Sequence, residues 1–444
     1  MFYVDKEIEL TPQMLTKLIQ KFNSSVLPNL QKWDNYYKGK HLILNKFYAD
    51  ESKPCNRIVT NFCKIIADTY NGYICGKPVT YTSNNDITDV QETINYNDDS
   101  SENISWCMNA LIYGIAYELQ WIDKDAQVRY AQVSPLSAFP IYDNTLDCEL
   151  LNFVRWYKAD NFDDMSDEYI LEVYSASDIK RYKTNSLMSS FVEIETITHH
   201  FRDVPVSVFR LNEAAESIFH NIITLNDAYN ELQSSEIDDF NAWVDAYLTL
   251  IGVDADSDDI ASMKENRVLI LPEGASANWL VKNANDTQIV NMLENIKKNI
   301  FKITAAPDMA DDNFLAQSGT ALAYKLVGFE NVASGIVARF TKAIQRRIEL
   351  ICNILNLKSS EAVWRDININ FVRNLPINIT ETIQLINSLK GTVSDKTLLS
   401  QLPFIDDVES ELKALEEQKA RNMALYTFGN ETHNHEEEDE GVDE

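Results

Sequence analysis

The stretch from Asn285 to Asn356 predicts a helix, a short loop and a very long second helix, and the loop reads Asp308-Met-Ala-Asp-Asp-Asn-Phe-Leu-Ala-Gln317. Asp286 can cap the first helix. Pro307 disfavours the α conformation of the residue before it, so we expect this helix to end near Ala306. Its apolar residues recur at helical spacing: Ile289, Leu293, Ile296 and Ile300.

Ser318 is a suitable cap for the second helix, which we expect to continue to Asn356. At ~1.5 Å per residue this helix would be about 55 Å long. Gly328 and Gly335 lie inside it, and each glycine costs about 1 kcal/mol relative to alanine. We therefore expect a kink there, or a close crossing by a neighbouring element. The apolar stripe along this helix is Leu322, Leu326, Phe329, Ile336, Phe340, Ile344, Ile348, Ile351 and Leu355.

The composition favours long regular elements in an acidic protein. The chain has 444 residues with only 12 glycines and 11 prolines, and its formal net charge is −29. This charge argues against a basic nucleic-acid binder and against binding to an anionic membrane surface. The N-terminus lacks signal-peptide architecture, and no long uncharged apolar run predicts a membrane span. The six cysteines show no CxxC pair and no zinc-ligand spacing, so we interpret them as reduced thiols.

The N-terminal half predicts helices followed by a sheet. Residues 11–39 are mostly helical in pattern, with a break or kink at Pro28, and another helix follows Lys53 and ends at Asn71-Gly72. From Ala116 the pattern alternates as in a mainly antiparallel sheet, in which Pro135 and Pro140 bracket a predicted loop. The predicted strands are Gly76–Tyr81, Ala116–Ile122, Val128–Val133, Asn152–Tyr157, Tyr169–Tyr174 and Val192–His199.

The C-terminal half predicts further helices, so the fold class is α+β. Glu216–Leu250 has a helical apolar pattern, with Glu231, Glu236, Asp238 and Asp239 on its solvent side. Strands are predicted at Arg267–Leu271 and Ile367–Arg373, and amphipathic helices at Thr380–Leu389 and Glu409–Tyr426. The tail from Glu431 to Glu444 carries eight acidic residues and no lysine or arginine, which is typical of a disordered end.

No motif in the chain indicates catalysis, a cofactor or a metal. Asp254, Asp256, Asp258 and Glu265 match four positions of a calcium loop, but Asp259 occupies the position that needs glycine. His199 and His200 are adjacent on a predicted strand and therefore point to opposite faces. The sequence contains no GxSxG, P-loop, GxGxxG or HExxH motif, so we do not expect an enzyme.

Several motifs resemble those of one known family. Ala306-Pro-Asp-Met-Ala-Asp-Asp-Asn-Phe314, followed by Ser318-Gly-Thr-Ala-Leu-Ala-Tyr-Lys-Leu326, resembles the portal proteins of tailed bacteriophages, the head-to-tail connectors of the siphophage wing, stem, clip and crown class. Tyr36-Tyr-Lys-Gly-Lys-His41, Pro54-Cys-Asn-Arg-Ile-Val-Thr-Asn-Phe62 and Gly76-Lys-Pro-Val-Thr-Tyr81 look like the N-terminal wing of that family, in the family's order. The resemblance extends roughly from Leu15 to Leu425.

The resemblance implies a helix-rich portal fold with an antiparallel-sheet wing, two stem helices, a small clip, a long kinked helix and a helical crown. The implied divisions are the wing (1–220), a stem helix (221–250), the clip (251–285), a stem helix (286–306), the tunnel loop (307–318), the long helix with wing completion (319–376), the crown (377–426) and a disordered acidic tail (427–444).

The same resemblance implies a function in the virion. About a dozen copies would form a ring at a unique capsid vertex, after assembly in the host cytoplasm. Double-stranded DNA would pass through the channel during packaging and ejection, without sequence-specific contacts. The implied partners are the terminase, the major capsid or scaffolding protein, and the head-completion or connector proteins. No membrane and no cofactor is implied.

The tunnel loop would face the DNA. Acidic residues there would repel phosphates, amides would form weak exchangeable hydrogen bonds, and the aromatic residue would pack the loop against its neighbour; these residues are Asp308, Asp311, Asp312, Asn313, Gln317 and Phe314. Lys297, Lys298 and Lys302 on the stem helix are candidates for phosphate contacts, or serve solubility alone. In the clip, Arg267 and Trp279 are the candidate partner-binding residues.

Two alternatives remain open at this point. A structural adaptor protein of a virion could use the same helices without forming a ring, and would then behave as a monomer. A metal-dependent enzyme with an acidic site would instead show tight binding of a divalent ion and turnover.

Overall fold

A computed structural model places the chain in two compact units, Met1–Asn374 and Leu375–Glu444. Helices combine with mainly antiparallel sheets, which confirms the α+β fold class. The residues that the structure describes are 2–8, 10–50, 53–159, 167–243, 247–251, 274, 276–280, 286–310, 319–357, 363–374, 379–399, 402, 405, 408 and 411–421.

The N-terminal helices begin and end largely where their sequence predicts. Thr11 caps the first helix by accepting a hydrogen bond from the Met14 N–H (3.4 Å), and the helix ends at Ser25. Pro28 stands in the first turn of the second helix, where the missing N–H costs nothing, so the predicted break falls at Val26. The helices of this region are α1 (Pro12–Ser25), α2 (Leu27–Tyr37), α3 (Phe62–Cys75), α4 (Thr88–Tyr96) and α5 (Asp99–Tyr113).

Two sheets form the middle of the first unit. A six-stranded sheet has the order β1-β5-β6-β7-β8-β9 and is antiparallel except for the β1–β5 pair, and a second sheet has the order β10-β3-β4. Short strands β2 and β13 pair separately. The strands are β1 (Phe2–Val4), β2 (Thr80–Thr82), β3 (Ile115–Ile122), β4 (Val128–Val133), β5 (Ala138–Asp143), β6 (Leu150–Lys158), β7 (Tyr169–Tyr174), β8 (Asp178–Thr184), β9 (Val192–Thr198), β10 (Val206–Arg210) and β13 (Asn368–Asn370).

The loop predicted around Pro140 was wrong, because Pro140 is a buried residue of β5 opposite Phe153. Proline is tolerated there since β1 pairs only with Ile141–Asp143, which leaves Pro140 beyond the end of that ladder.

Between Ile223 and Leu357, the described residues form three helices and two paired strands. These elements are α6 (Ile223–Trp243), β11 (Tyr247–Ile251), β12 (Ser276–Leu280), α7 (Asp286–Thr304) and α8 (Gly319–Leu357). The predicted helix to Leu250 was wrong, because Tyr247–Ile251 is a strand that pairs antiparallel with Ser276–Leu280. Pairing with a segment distant in sequence overrides a helical apolar pattern that these residues also satisfy.

The long helix α8 is continuous over its 39 residues. At Gly328 an added Cβ would stand 3.7 Å from the Ala305 Cβ, so the helix passes close to the end of α7 there. Phe340 stacks on Phe209 of β10 (centroids 4.5 Å, 7° between planes) and meets the edge of Trp106 of α5 (5.4 Å). These aromatic contacts fix α8 against both the sheet and the N-terminal helices.

A buried charge network centred on Arg347 of α8 lies beside this aromatic cluster. Arg347 is fully buried, and its Nε donates to Glu118 Oε1 (2.8 Å) while its Nη1 donates to Asp99 Oδ1 (2.5 Å) and Asn103 Oδ1 (2.8 Å). The guanidinium also lies 4.4 Å from the Tyr130 ring centroid and 4.9 Å from that of Trp106. Burial raises the pKa of Glu118 to about 7, against the lowering influence of Arg347.

A second polar array attaches α6 to the extended segment before α3. Four residues of α6 at four-residue spacing accept hydrogen bonds from the backbone N–H groups of alternate residues in that segment. Four helical residues rise about 6 Å and two extended residues about 6.6 Å, so the two spacings match. The donor and acceptor pairs are Phe62 with Asn226 (3.2 Å), Thr60 with Asn230 (2.9 Å), Ile58 with Ser234 (3.0 Å) and Asn56 with Asp238 (2.6 Å).

This array, which we call the α6 ladder, corrects the predicted position of Asp238. Asp238 is not on the solvent side but is 7% exposed, and Lys46 Nζ donates to its second oxygen (3.1 Å). Burial acts to raise the pKa of Asp238, yet the hydrogen bonds from Asn56 and Lys46 outweigh it and the pKa is lowered. Asp238 therefore stays ionised and holds the segment.

In its described residues, the second unit contains helices in the two predicted segments and one short extra helix. Ile379–Leu389 forms α9, Asp395–Leu399 forms α10, and residues 411–421 form α11. The acidic tail lies outside the described residues.

We expect Arg347→Ala to lower the free energy of unfolding by about 3–5 kcal/mol, because it leaves Glu118 and Asp99 buried without their counter-charge. Chemical denaturation measures this loss. Arg365→Ala, at an exposed position, is the control and should change stability by less than about 0.5 kcal/mol. Equal losses for the two variants would contradict a structural role for the network.

We expect Ser234→Ala to cost about 1–3 kcal/mol of stability, because the Ile58 N–H loses its acceptor. Amide hydrogen exchange at Ile58 should accelerate more than at residues outside the ladder. Ser24→Ala is the matched control, since Ser24 is exposed and bonds only within its own helix. Unchanged exchange at Ile58 would show that the ladder does not hold the segment.

Candidate functional site

The candidate site is the loop between α7 and α8 together with the residues that hold its two ends. The structure describes the loop to Ala310 and resumes at Gly319. Asp311, Asp312, Asn313, Phe314 and Gln317 therefore lie outside the described residues, and the roles predicted for them stay predictions.

The first end of the loop is fixed at the last turn of α7. The buried Tyr70 hydroxyl of α3 donates to the Thr304 carbonyl (2.7 Å), and the Thr304 hydroxyl donates back to the Ile300 carbonyl (2.9 Å). Ala305 then takes a left-handed conformation (φ 53°), so α7 ends at Thr304, two residues before the predicted Ala306. Burial raises the pKa of Tyr70, so this hydroxyl remains a donor.

The second end of the loop, at the start of α8, is also fixed by α3. The Phe329 ring of α8 lies 4.5 Å from the ring centroid of Tyr70 and 4.6 Å from that of Tyr73. The next residue, Glu330, accepts a hydrogen bond from the Tyr73 hydroxyl and forms an ion pair with Arg373 (3.0 Å). Thus α3 holds both α7 and α8, and the segment between them is anchored on each side.

The structure brings two of the predicted site residues together. Lys297 of α7 forms an ion pair with Asp308 (2.8 Å), and both side chains are about one-quarter exposed (27% and 23%). The hydrogen bond to Asp308 raises the pKa of Lys297. Asp308 also accepts the Ala310 N–H (3.1 Å), which turns the chain at the start of the loop. The charge of Asp308 is thereby offset within the subunit, whereas Lys298 and Lys302 are exposed on α7.

Helices α6 and α7 share an aromatic contact at the start of α3. Phe62, the first residue of α3, meets Tyr229 of α6 (5.0 Å) and Phe301 of α7 (5.9 Å) edge-on. The hairpin between these helices contains Trp279 opposite Leu248 in the strand register, while Arg267 lies outside the described residues. Sequence reasoning missed Tyr70, Thr304 and the α6 ladder, because each acts through a partner distant in sequence.

The described residues give no support to a metal site, a disulfide or a membrane span. No group of three or more histidine, cysteine or carboxylate side chains is placed to hold a metal ion among the residues that the structure describes. The acidic run Asp254–Glu265 lies outside them, and His199 bonds to the Ser175 carbonyl (3.0 Å). All six cysteines are free thiols. Among the described helices, none has the length and hydropathy needed to cross a bilayer.

Solved structures with some likeness to the chain come from gene transfer agent particles. A chain in the neck of an empty particle, computed with C6 symmetry, is 11% identical with a TM-score of 0.45, and covers 76% of this chain and 86% of its own length. A chain in the virion of a native particle is 10% identical, with the same TM-score and coverage.

Curated relatives match nearly the full length. The portal protein of Clostridium phage phiCD119 is 22% identical over 419 residues, which span 87% of this chain and 91% of the relative. The portal protein of Bacillus phage SPP1 is 23% identical over 440 residues, which span 91% of this chain and 86% of the relative. The family model described as phage portal protein, SPP1 Gp6-like, matches residues 17–424. The chain therefore belongs to the SPP1 Gp6-like family of phage portal proteins, which is a family of structural proteins.

Proposed function

We propose that about twelve copies of this chain form a ring at one capsid vertex, where the ring is the channel for packaging and ejection of the genome. The family match over residues 17–424 carries this proposal. The stem helices support it, because large apolar side chains on α6 and α7 are exposed in a single subunit. Neighbouring copies in a ring would bury them. These side chains are Phe240 (66%), Val290 (52%), Met292 (49%) and Ile303 (52%).

In this ring the loop Asp308–Gln317 lines the narrowest part of the channel and acts by shape and charge. A channel must let a polyanion slide without holding it, and a net charge of −29 suits that requirement. Since Lys297 offsets Asp308, repulsion of phosphates rests on Asp311 and Asp312. Lys298 and Lys302, exposed on α7, are the candidates for transient phosphate contacts.

The partners follow from the same assembly. The clip (251–285), which includes β12, docks the terminase during packaging and the head-completion or connector proteins afterwards, with Arg267 and Trp279 as candidate contacts. The wing meets the major capsid or scaffolding protein. The ring is assembled in the host cytoplasm and remains at the capsid vertex of the virion.

The mass of the purified assembly tests the ring. We expect native mass spectrometry to find a closed oligomer of about twelve chains, and electron microscopy to find a central channel. A monomer at every protein and salt concentration would instead support a structural adaptor that forms no ring.

Changing the loop charge tests the channel. We expect Asp311→Lys with Asp312→Lys to slow packaging, and to do so more at low salt than at high salt, because lysines repeated round the ring would hold DNA phosphates. The control is Glu92→Lys with Asp125→Lys, which makes the same charge change at exposed wing positions. Packaging equal to the parent at low salt would place the loop away from the DNA.

A further inference from the structure

Lys297 lies on a different face of α7 from the other two lysines near the loop. Successive residues of a helix are about 100° apart, so Lys298 and Lys302 lie within about 40° of each other, and both are exposed. Lys297 lies about 60° from Ile300, which is fully buried, and the Lys297 side chain is 27% exposed. Of the three lysines, Lys297 is therefore the one on the packed side of α7.

The chain after α7 folds back along this packed side. Lys297 lies seven residues before Thr304, the last residue of α7, or about 10 Å along the helix axis. Its Nζ nevertheless lies 2.8 Å from Oδ2 of Asp308, which follows the end of the helix by four residues. Ala306, between the helix and Asp308, is 6% exposed. The chain therefore reverses direction after Thr304 and packs against the helix that it has just left.

This reversal uses a left-handed residue that is not glycine. Ala305 has a φ of 53°. An L-residue with a Cβ is strained in this region, because the Cβ comes too close to the following carbonyl oxygen. A reversal that costs conformational energy needs contacts on the returning chain to hold it.

One carboxylate joins α7 to the first turn of the loop. Oδ2 of Asp308 pairs with Lys297, while Oδ1 of Asp308 accepts a hydrogen bond from the Ala310 N–H (3.1 Å). Asp308 is the only charged residue in the sequence 305–310. The position of the Lys297 ammonium therefore determines where the carboxylate lies, and the carboxylate determines the direction of the chain at Ala310.

Asp308 is the main partner of Lys297. The hydrogen bond to Asp308 has the largest effect on the pKa of Lys297 and raises it, and the charge of Glu294, one turn earlier on α7, raises it further. A DNA phosphate would have to displace Asp308 before it could pair with Lys297. Lys298 and Lys302 are exposed on the other side of the helix, where a phosphate can approach them directly.

We propose that Lys297 is a positioning residue, which holds residues 305–310 back along α7 through its ion pair with Asp308 and leaves the phosphate contacts to Lys298 and Lys302. The part that concerns DNA rests on the channel proposed above, whereas the hold on residues 305–310 belongs to each subunit alone. An ion pair between two side chains that are each about one-quarter exposed is weak. Its loss should therefore loosen the first turn of the loop without unfolding α7.

Hydrogen exchange at the Ala310 N–H tests the hold. Lys297→Met keeps a long side chain but removes its charge, and should accelerate this exchange about threefold. Asp308→Asn keeps an oxygen that can accept from Ala310 but loses the ion pair, and should accelerate the exchange at least as much. The double variant should exchange no faster than Asp308→Asn, because the two side chains act through each other.

Two further variants serve as controls, and thermal melts check that every variant is folded. Lys298→Met makes the same change one residue along, on the exposed side, and should exchange like the parent. Lys297→Arg retains the positive charge and should restore most of the protection. Parental exchange in Lys297→Met, or the same acceleration in Lys298→Met, would overturn the hold. Fully additive effects of Lys297→Met and Asp308→Asn would overturn it as well.

Binding of duplex DNA to the assembled protein over a series of salt concentrations separates the two roles. Lys298→Met with Lys302→Met should flatten the dependence of log affinity on log salt, because phosphate contacts release counterions. Lys297→Met should leave this slope unchanged. An unchanged slope in the first variant, or an equal flattening by Lys297→Met and Lys298→Met, would overturn the assignment of phosphate contacts. If the parent forms no ring and binds no DNA, the proposed function fails, and the exchange at Ala310 still decides whether Lys297 holds the loop.

Discussion

The buried guanidinium of Arg347 constrains the rest of the first unit. Removing a charge from water costs several kcal/mol, and this cost is repaid only when counter-charges and hydrogen bonds surround it in good geometry. Asp99 and Asn103 come from α5 and Glu118 from β3, so the network is satisfied only when helix, sheet and long helix meet in one arrangement. Hydrophobic packing alone would tolerate small shifts of α8, whereas these hydrogen bonds do not.

The register of α8 follows from this constraint and reaches the candidate site. Phe329 and Glu330 lie 18 and 17 residues before Arg347 on the same continuous helix, or about 27 Å away at ~1.5 Å per residue. Once Arg347 and Phe340 are placed, the start of α8 has little freedom except to meet Tyr70 and Tyr73. The position of the loop is therefore determined partly by a charge network far from it.

Much of the fold is predictable from sequence because its helices have strong apolar periodicity. The loop between Pro307 and Ser318 is flanked by two helices whose apolar stripes are unmistakable, and both helices are present. The incorrect predictions concern residues whose conformation or burial is determined by a partner far away in the sequence. Residues 247–251 satisfy a helical pattern and become a strand by pairing with 276–280, and Asp238 resembles a solvent residue until Asn56 and Lys46 surround it. Arg347 likewise follows Arg346 in a helix where charged residues ordinarily face water, and nothing local distinguishes the buried one.

The helix α3 contacts α6, α7 and α8 and so connects the three helices around the loop. Its first residue, Phe62, contacts both α6 and α7, its Tyr70 hydroxyl binds the last turn of α7, and the Tyr70 and Tyr73 rings contact α8. The α6 ladder extends this attachment back along the segment that precedes α3. A change in the angle of α6 or α7 must therefore act on α3 and reach both ends of the loop together. Because Arg347 lies about 27 Å further along α8 than Phe329, such a change can act on the ends of the loop while the hydrogen bonds of Arg347 stay intact.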